Sequence, residues 1–205
     1  QRDGLELLLN FLARRTSGTS STRESMSGGI GRENASIRNN DIANGEGVRV
    51  SLFVSGCDFH CPGCFNPEAQ SFEYGEKFDS EVAERIMKMV SEPTISGLSI
   101  LGGDPLCQDV AGLITLSMLC NRVRYRGKTV WLWTGFTWED VFALPCRDTQ
   151  HQYQKFLVAD CNVVVDGPFK QELADRKLVW RGSANQRVID VQASLRAGSV
   201  VTYQN

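Results

Sequence analysis

Hydrophobic and polar positions alternate in blocks from about Ile37 onward, and the blocks predict an ordered series of elements. Val48–Val54 (VRVSLFV) is rich in β-formers and stops at Ser55-Gly56, as a buried strand does. Asp79–Val90 follows a helical period: Val82, Ile86, Met89 and Val90 share one face, and Asp79 stands at the N-cap. Leu98–Leu101 predicts a short strand ending at Gly102-Gly103, and Val110–Cys120 a helix. Thr129–Trp133 predicts a strand ending at Thr134-Gly135, and Trp138–Leu144 a short helix. Asn162–Val165 predicts a further strand, ending at Asp166-Gly167. Ser183-x-x-Gln186 reads as a capping box for a helix to about Ala197, closed by Gly198. Val200–Tyr203 predicts a last strand.

Strand–helix alternation implies parallel strands joined by helical crossovers. Ligands of such folds bind at the carboxyl ends of the strands. Residues able to bind or ligate follow four predicted strands in turn: Cys57, then Gly102–Asp104, then Thr134, then Asp166. One shared site is the expectation.

The first 36 residues are different. Leu5–Leu12 has the pattern of an amphipathic helix, and TSGTSSTRESMSGG lacks core-forming residues, which predicts a flexible linker. Residues 1–36 are therefore expected as an extension and 37–205 as one domain. Arginine and serine in this segment raise organelle targeting, but Asp3 and Glu6 weigh against it. A cytoplasmic protein is the expectation.

Charge removes two classes of partner. With 22 Lys and Arg against 24 Asp and Glu, interspersed, there is no basic stripe for a nucleic acid. No apolar run is long enough for a membrane span. The seven cysteines are an odd number without a secretory pattern, which argues for thiols in a reducing compartment rather than a disulfide framework. Cys107, Cys120, Cys146 and Cys161 are scattered and read as small buried hydrophobes or inert thiols.

Cys57-Asp-Phe-His-Cys61-Pro-Gly-Cys64 carries the chemistry. Three thiols in one tight loop are one ligand short of a closed zinc or iron–sulfur site, so a bound metal would keep an open corner. From the residues alone, half a zinc site or a redox pair stays open.

C-x3-C-x2-C after a first strand, followed by Leu101-Gly-Gly-Asp-Pro105, resembles the radical S-adenosylmethionine (SAM) enzymes. The resemblance implies an incomplete (β/α) barrel of about five or six mainly parallel strands. It implies a [4Fe–4S] cluster on Cys57, Cys61 and Cys64, whose open iron takes SAM. Gly102, Gly103 and Asp104 would then meet the methionyl end, with Asp104 accepting from its ammonium group. Many members carry an aromatic before the third cysteine; here that position is Gly63, and the adenine contact passes to the Gly63–Cys64–Phe65 segment. Thr134 and Asp166 are expected near the ribose or a monovalent cation.

Asn44-Gly-Glu-Gly-Val-Arg49, CPGCFNPE, W-x-W-T-G-F (131–136), V-D-G-P-F (165–169) and W-R-G-S-x-N-Q-R (180–187) are similar to the glycyl-radical activating enzymes, in particular those acting on the anaerobic ribonucleotide reductase. The implied reaction is removal of a glycine hydrogen from the reductase large subunit by a 5′-deoxyadenosyl radical. No side-chain acid or base is needed. With no second cysteine cluster, electrons are expected from an external flavodoxin or ferredoxin. Activation of another glycyl-radical enzyme, a small deazapurine-forming synthase, and a non-catalytic metal-binding or electron-transfer module are the alternatives.

Overall fold

The computed structural model describes residues 33–143 and 145–204. The proposed N-terminal helix and linker lie outside the described residues. The chain builds a seven-stranded mixed sheet. In chain order its strands are β1 (Glu33–Asp41), β2 (Arg49–Val54), β3 (Glu76–Lys77), β4 (Gly97–Gly102), β5 (Thr129–Trp133), β6 (Val163–Asp166) and β7 (Arg187–Asp190). Their spatial order is β3-β1-β2-β4-β5-β6-β7. The four central strands β2, β4, β5 and β6 are parallel, while β1, β3 and β7 pair antiparallel at the margins.

The helices are α1 (Ser80–Val90), α2 (Val110–Tyr125), α3 (Trp138–Phe142), α4 (Thr149–Ala159) and α5 (Val191–Ala197). Aspartate or threonine caps start them. Asp79 accepts from Glu81 and Val82 amides, Asp109 from Gly112, Thr137 from Asp140, Asp148 from His151, and Asp190 from Ala193. Gly198 in the left-handed region ends α5, as expected of a helix-closing glycine.

Period-two alternation separates the faces of the central strands. Val50, Leu52, Val54, Leu98, Ile100, Val130, Leu132 and Val164 belong to one apolar core that includes residues of all five helices. The intervening residues Arg49, Ser51, Ser99, Trp131 and Val163 are buried on the other face. Trp131 and Trp133 stack there at 5.9 Å, and Trp180 and Tyr203 pack edge-on against Trp131. Arg49 is fully buried on this face. Its guanidinium donates to Ser99 Oγ, Thr129 Oγ1 and the carbonyls of Glu46, Leu98 and Thr129, so the cation is held by neutral acceptors.

Three sequence expectations change. Ser183–Gln186 does not begin a helix. Gln186 Oε1 does accept from the Ser183 amide, the reciprocal half of a capping box, but Arg187–Asp190 then pairs with β6, and the helix starts only after Asp190. Val200–Tyr203 contributes an isolated bridge, Ile189 to Thr202, rather than a strand. β1, β3, β7 and α4 were not anticipated, and β1 begins four residues before Ile37.

Candidate active site

The cysteine loop leaves β2 and is tied down at once. The Gly56 amide donates to the Ala69 carbonyl at 2.7 Å, and the Cys57 amide to Gln70 at 3.1 Å. Gly56 has φ +90°, and a Cβ there would overlap the Phe72 ring. Beyond it, the Cys64 amide donates to the Cys61 carbonyl at 3.1 Å. Gly63 has φ +70° with the Gln171 side chain 2.8 Å from the place of a Cβ, so an aromatic at this position would be both strained and crowded.

The exit of β4 locks onto the same loop. The Gly103 amide donates to Val54 O (2.7 Å), and the Asp104 amide to Gly56 O (2.8 Å). A Cβ on Gly103 would lie 2.6–2.9 Å from the backbone of Gly56 and Ala69. Only glycine lets two strand exits approach this closely.

Asp104 joins a third exit. Its side chain accepts from the Leu106 and Gly135 amides and from Thr134 Oγ1, which is 2.9 and 3.0 Å from its two oxygens. Three donor hydrogens face roughly four lone-pair positions, so one acceptor position is left. Asp104 is 1% exposed, and burial pushes its pKa up to about 6 against the favourable amide and hydroxyl bonds. Phe59, inside the cysteine loop, lies edge-on to Phe136 at 5.0 Å and packs at Gly135, which anchors the loop to the exit of β5.

A cavity of about 400 Å³ opens where these exits meet. Cys57, Cys61, Cys64, Phe65, Gly102, Gly103, Asp104 and Thr134 all line it. Gly63 sits between two lining cysteines. Asp166 is placed differently: both oxygens are taken by Arg187, at 3.0 and 2.5 Å, and by the Trp138 amide at 2.7 Å, and its neighbour Gly167 lines the cavity instead. Trp133, Phe169, Trp180, Arg181 and Gln186, from the sequence motifs of the second half, complete the wall. Phe65 stands at the rim, 94% exposed.

One residue escaped the sequence reading. Cys107 ends the turn Pro105–Cys107 directly after Asp104, and its sulfur, the Cys57 sulfur and an Asp104 oxygen all lie within 4.8 Å of one another. Pro105 after a capping Asp104 signals that the chain turns back at this point, and that was the available clue. A hydrogen bond with Cys107 lowers the pKa of Cys57, whereas the same contact and burial raise that of Cys107. Burial raises the pKa of Cys61. The donor set suits a thiolate-bound cluster: three half-buried thiols on one cavity wall, one of them already biased toward thiolate, in a loop whose glycines admit close packing.

Comparison with known proteins agrees with this geometry. Residues 43–189 match a family model described as a 4Fe-4S single cluster domain. A protein of Pasteurella multocida named anaerobic ribonucleoside-triphosphate reductase-activating protein is 41% identical over 150 residues, 71% of this chain and 89% of its own length. The protein of that name from Escherichia coli K12 is 39% identical over 153 residues, 72% of this chain and 92% of its own. Its counterpart from bacteriophage T4 is 34% identical over 148 residues, 72% of this chain and 87% of its own.

Proposed function

Because the chain belongs to the family of the anaerobic ribonucleoside-triphosphate reductase-activating proteins, we propose that it activates the anaerobic ribonucleotide reductase by forming a glycyl radical on it. The observation that carries this is the meeting of three thiols, a Gly-Gly turn and a buried carboxylate in one open cavity.

Cys57, Cys61 and Cys64 would hold a [4Fe–4S] cluster, and SAM would take its remaining iron. Together these groups, when bound, supply a 5′-deoxyadenosyl radical that removes a glycine α-hydrogen. The protein's share is placement and exclusion of water. Gly102 and Gly103 would let backbone approach the methionyl end of SAM. Asp104 is suited to its ammonium group: the carboxylate keeps one acceptor position and is penalised by burial, so a cation restores its charge. Thr134 aligns Asp104 through its hydroxyl. The exposed Phe65 ring and the Gly63–Cys64 backbone beside it would meet the adenine. Asp166 acts at one remove, by holding Arg187 and the start of α3 beneath the cavity wall.

The four parallel strands with helices over their apolar face support the reading of an incomplete barrel, whose open side would admit a protein segment. Electrons come from an external donor, a reduced flavodoxin or ferredoxin. The remaining cysteines support this: Cys120 and Cys161 are buried together, Cys146 is exposed, and Cys107 belongs to the site.

The test is anaerobic incubation of the iron-loaded chain with dithionite, SAM and the anaerobic reductase. A glycyl-radical doublet in the EPR spectrum is expected, and none with Cys61→Ala. Release of 5′-deoxyadenosine without the doublet would refute the substrate. Absence of both would refute the chemistry.

A further inference from the structure

Cys57 has two kinds of thiol neighbour. Cys61 and Cys64 share its loop. Cys107 reaches it from the other strand exit, carried by the turn Pro105–Cys107. The loop glycines and the Gly103–Asp104 amides fix the two segments against each other, so the approach is not left to loop motion: Gly103 N to Val54 O and Asp104 N to Gly56 O bracket it. Cys57 and Cys107 sulfurs lie within 4.8 Å, and the side chains are hydrogen-bonded. Their exposure differs in a useful way. Cys57 is half-buried on the cavity wall, whereas Cys107 is 5% exposed. An oxidant entering the cavity therefore meets Cys57 first and leaves Cys107 as the thiol behind it.

We propose that Cys57 and Cys107 form a reversible disulfide whenever Cys57 is not bound to iron, so that Cys107 is a resolving thiol that protects the iron site from irreversible oxidation. The oxidant class is a hydroperoxide. Hydrogen peroxide transfers one oxygen to Cys57 sulfur, giving the sulfenic acid and water. Cys107 sulfur then attacks Cys57 sulfur, the S–O bond breaks, and a second water leaves. Two thiols have lost two electrons and two protons, and one peroxide has been reduced to two waters. While the disulfide stands, Cys57 cannot ligate iron. A dithiol reductant reverses it. Without Cys107 the sulfenic acid is open to further oxidation, which dithiols do not reverse.

The inference does not depend on which protein the chain activates, because it needs only these two thiols and the iron-binding role of Cys57. The experiment uses the full chain with its iron removed by chelation, exposed to stoichiometric hydrogen peroxide. Remaining thiols are alkylated, the protein is digested, and linked peptides are fragmented to residue level, since Cys57, Cys61 and Cys64 share one tryptic peptide. A Cys57–Cys107 link is expected. So is iron and sulfide uptake that fails after peroxide and returns after dithiothreitol. In Cys107→Ser, given excess peroxide so that the unresolved sulfenic acid is carried on to the sulfinic acid, the return is expected to be lost, whereas the wild type given the same excess recovers. Linkage of Cys57 to Cys61 or Cys64, or of Cys120 to Cys161 in its place, would overturn the proposal. So would Cys107 that remains fully alkylated. Wild-type mapping decides the matter even where the variant folds poorly. Iron uptake before peroxide treatment tests the cluster assignment separately.

Discussion

At Asp104 a single side chain carries both the geometry and the electrostatics of the cavity. Its pKa stands at about 6 when folded and 3.8 ordinarily. Between these values the folded chain holds a proton that the unfolded chain has released. Stability is therefore fullest below about pH 4 and falls as pH rises through about 6, by up to ~3 kcal/mol from this group. Asp104→Asn should flatten that slope; urea midpoints of both proteins at pH 4.5 and 6.5 measure it. Glycines give a second contrast. Gly103→Ala places a methyl against backbone on two sides and should cost ~2 kcal/mol or more, with loss of bound iron. Gly127, with φ +71° and open space around it, should cost only ~1 kcal/mol on the same change. Denaturant unfolding and iron content separate the two. The cysteines, the Gly-Gly turn and Asp104 were readable from sequence because their spacing is local. Cys107 was not, since its partner is fifty residues away in the chain and is brought beside it only by the backbone hydrogen bonds that join the two strand exits.

Among the elements, the join of β6, β7 and α3 shows how a local signal is overruled. Gln186 makes the back-bond of a capping box, but no helix follows, because Arg187 extends into a strand and seats its guanidinium on Asp166. Asp166 is 2% exposed, while Glu139, the other partner of Arg187, is 62% exposed. Arg187→Met leaves a buried carboxylate with only the Trp138 amide and should cost ~3 kcal/mol. Glu139→Gln should cost under ~0.5 kcal/mol. Thermal unfolding of both variants checks the ranking. Helix α1 was readable from its apolar spacing and its Asp79 cap, and α2 from its apolar spacing. β1, β3 and β7 were harder: they are marginal antiparallel strands whose pairing partners, not their own pattern, make them strands.

Taken as one molecule, the chain separates a core from a site. The apolar core cluster contains no residue between Ser55 and Lys77 among the described residues, so the loop bearing Cys57, Cys61 and Cys64 lies outside it. Removing iron should leave the far-UV circular dichroism unchanged and the melting temperature within a few degrees, unlike a small zinc domain that unfolds without metal. Loss of the sheet signal on chelation would contradict this separation. The period of apolar residues suffices to read an α/β chain, and the Cys57–Cys61–Cys64 spacing and the Gly-Gly-Asp-Pro turn suffice to read a thiol site with an open corner, because each is written within a few neighbouring residues; the iron–sulfur reading came from the resemblance that these motifs carry. Fold-level packing settled the rest. It brought four strand exits to one cavity, turned Asp166 from the cavity toward Arg187, and set Cys107 beside Cys57. Those outcomes depend on contacts between segments far apart in the chain, which only parallel pairing and close glycine approach bring together.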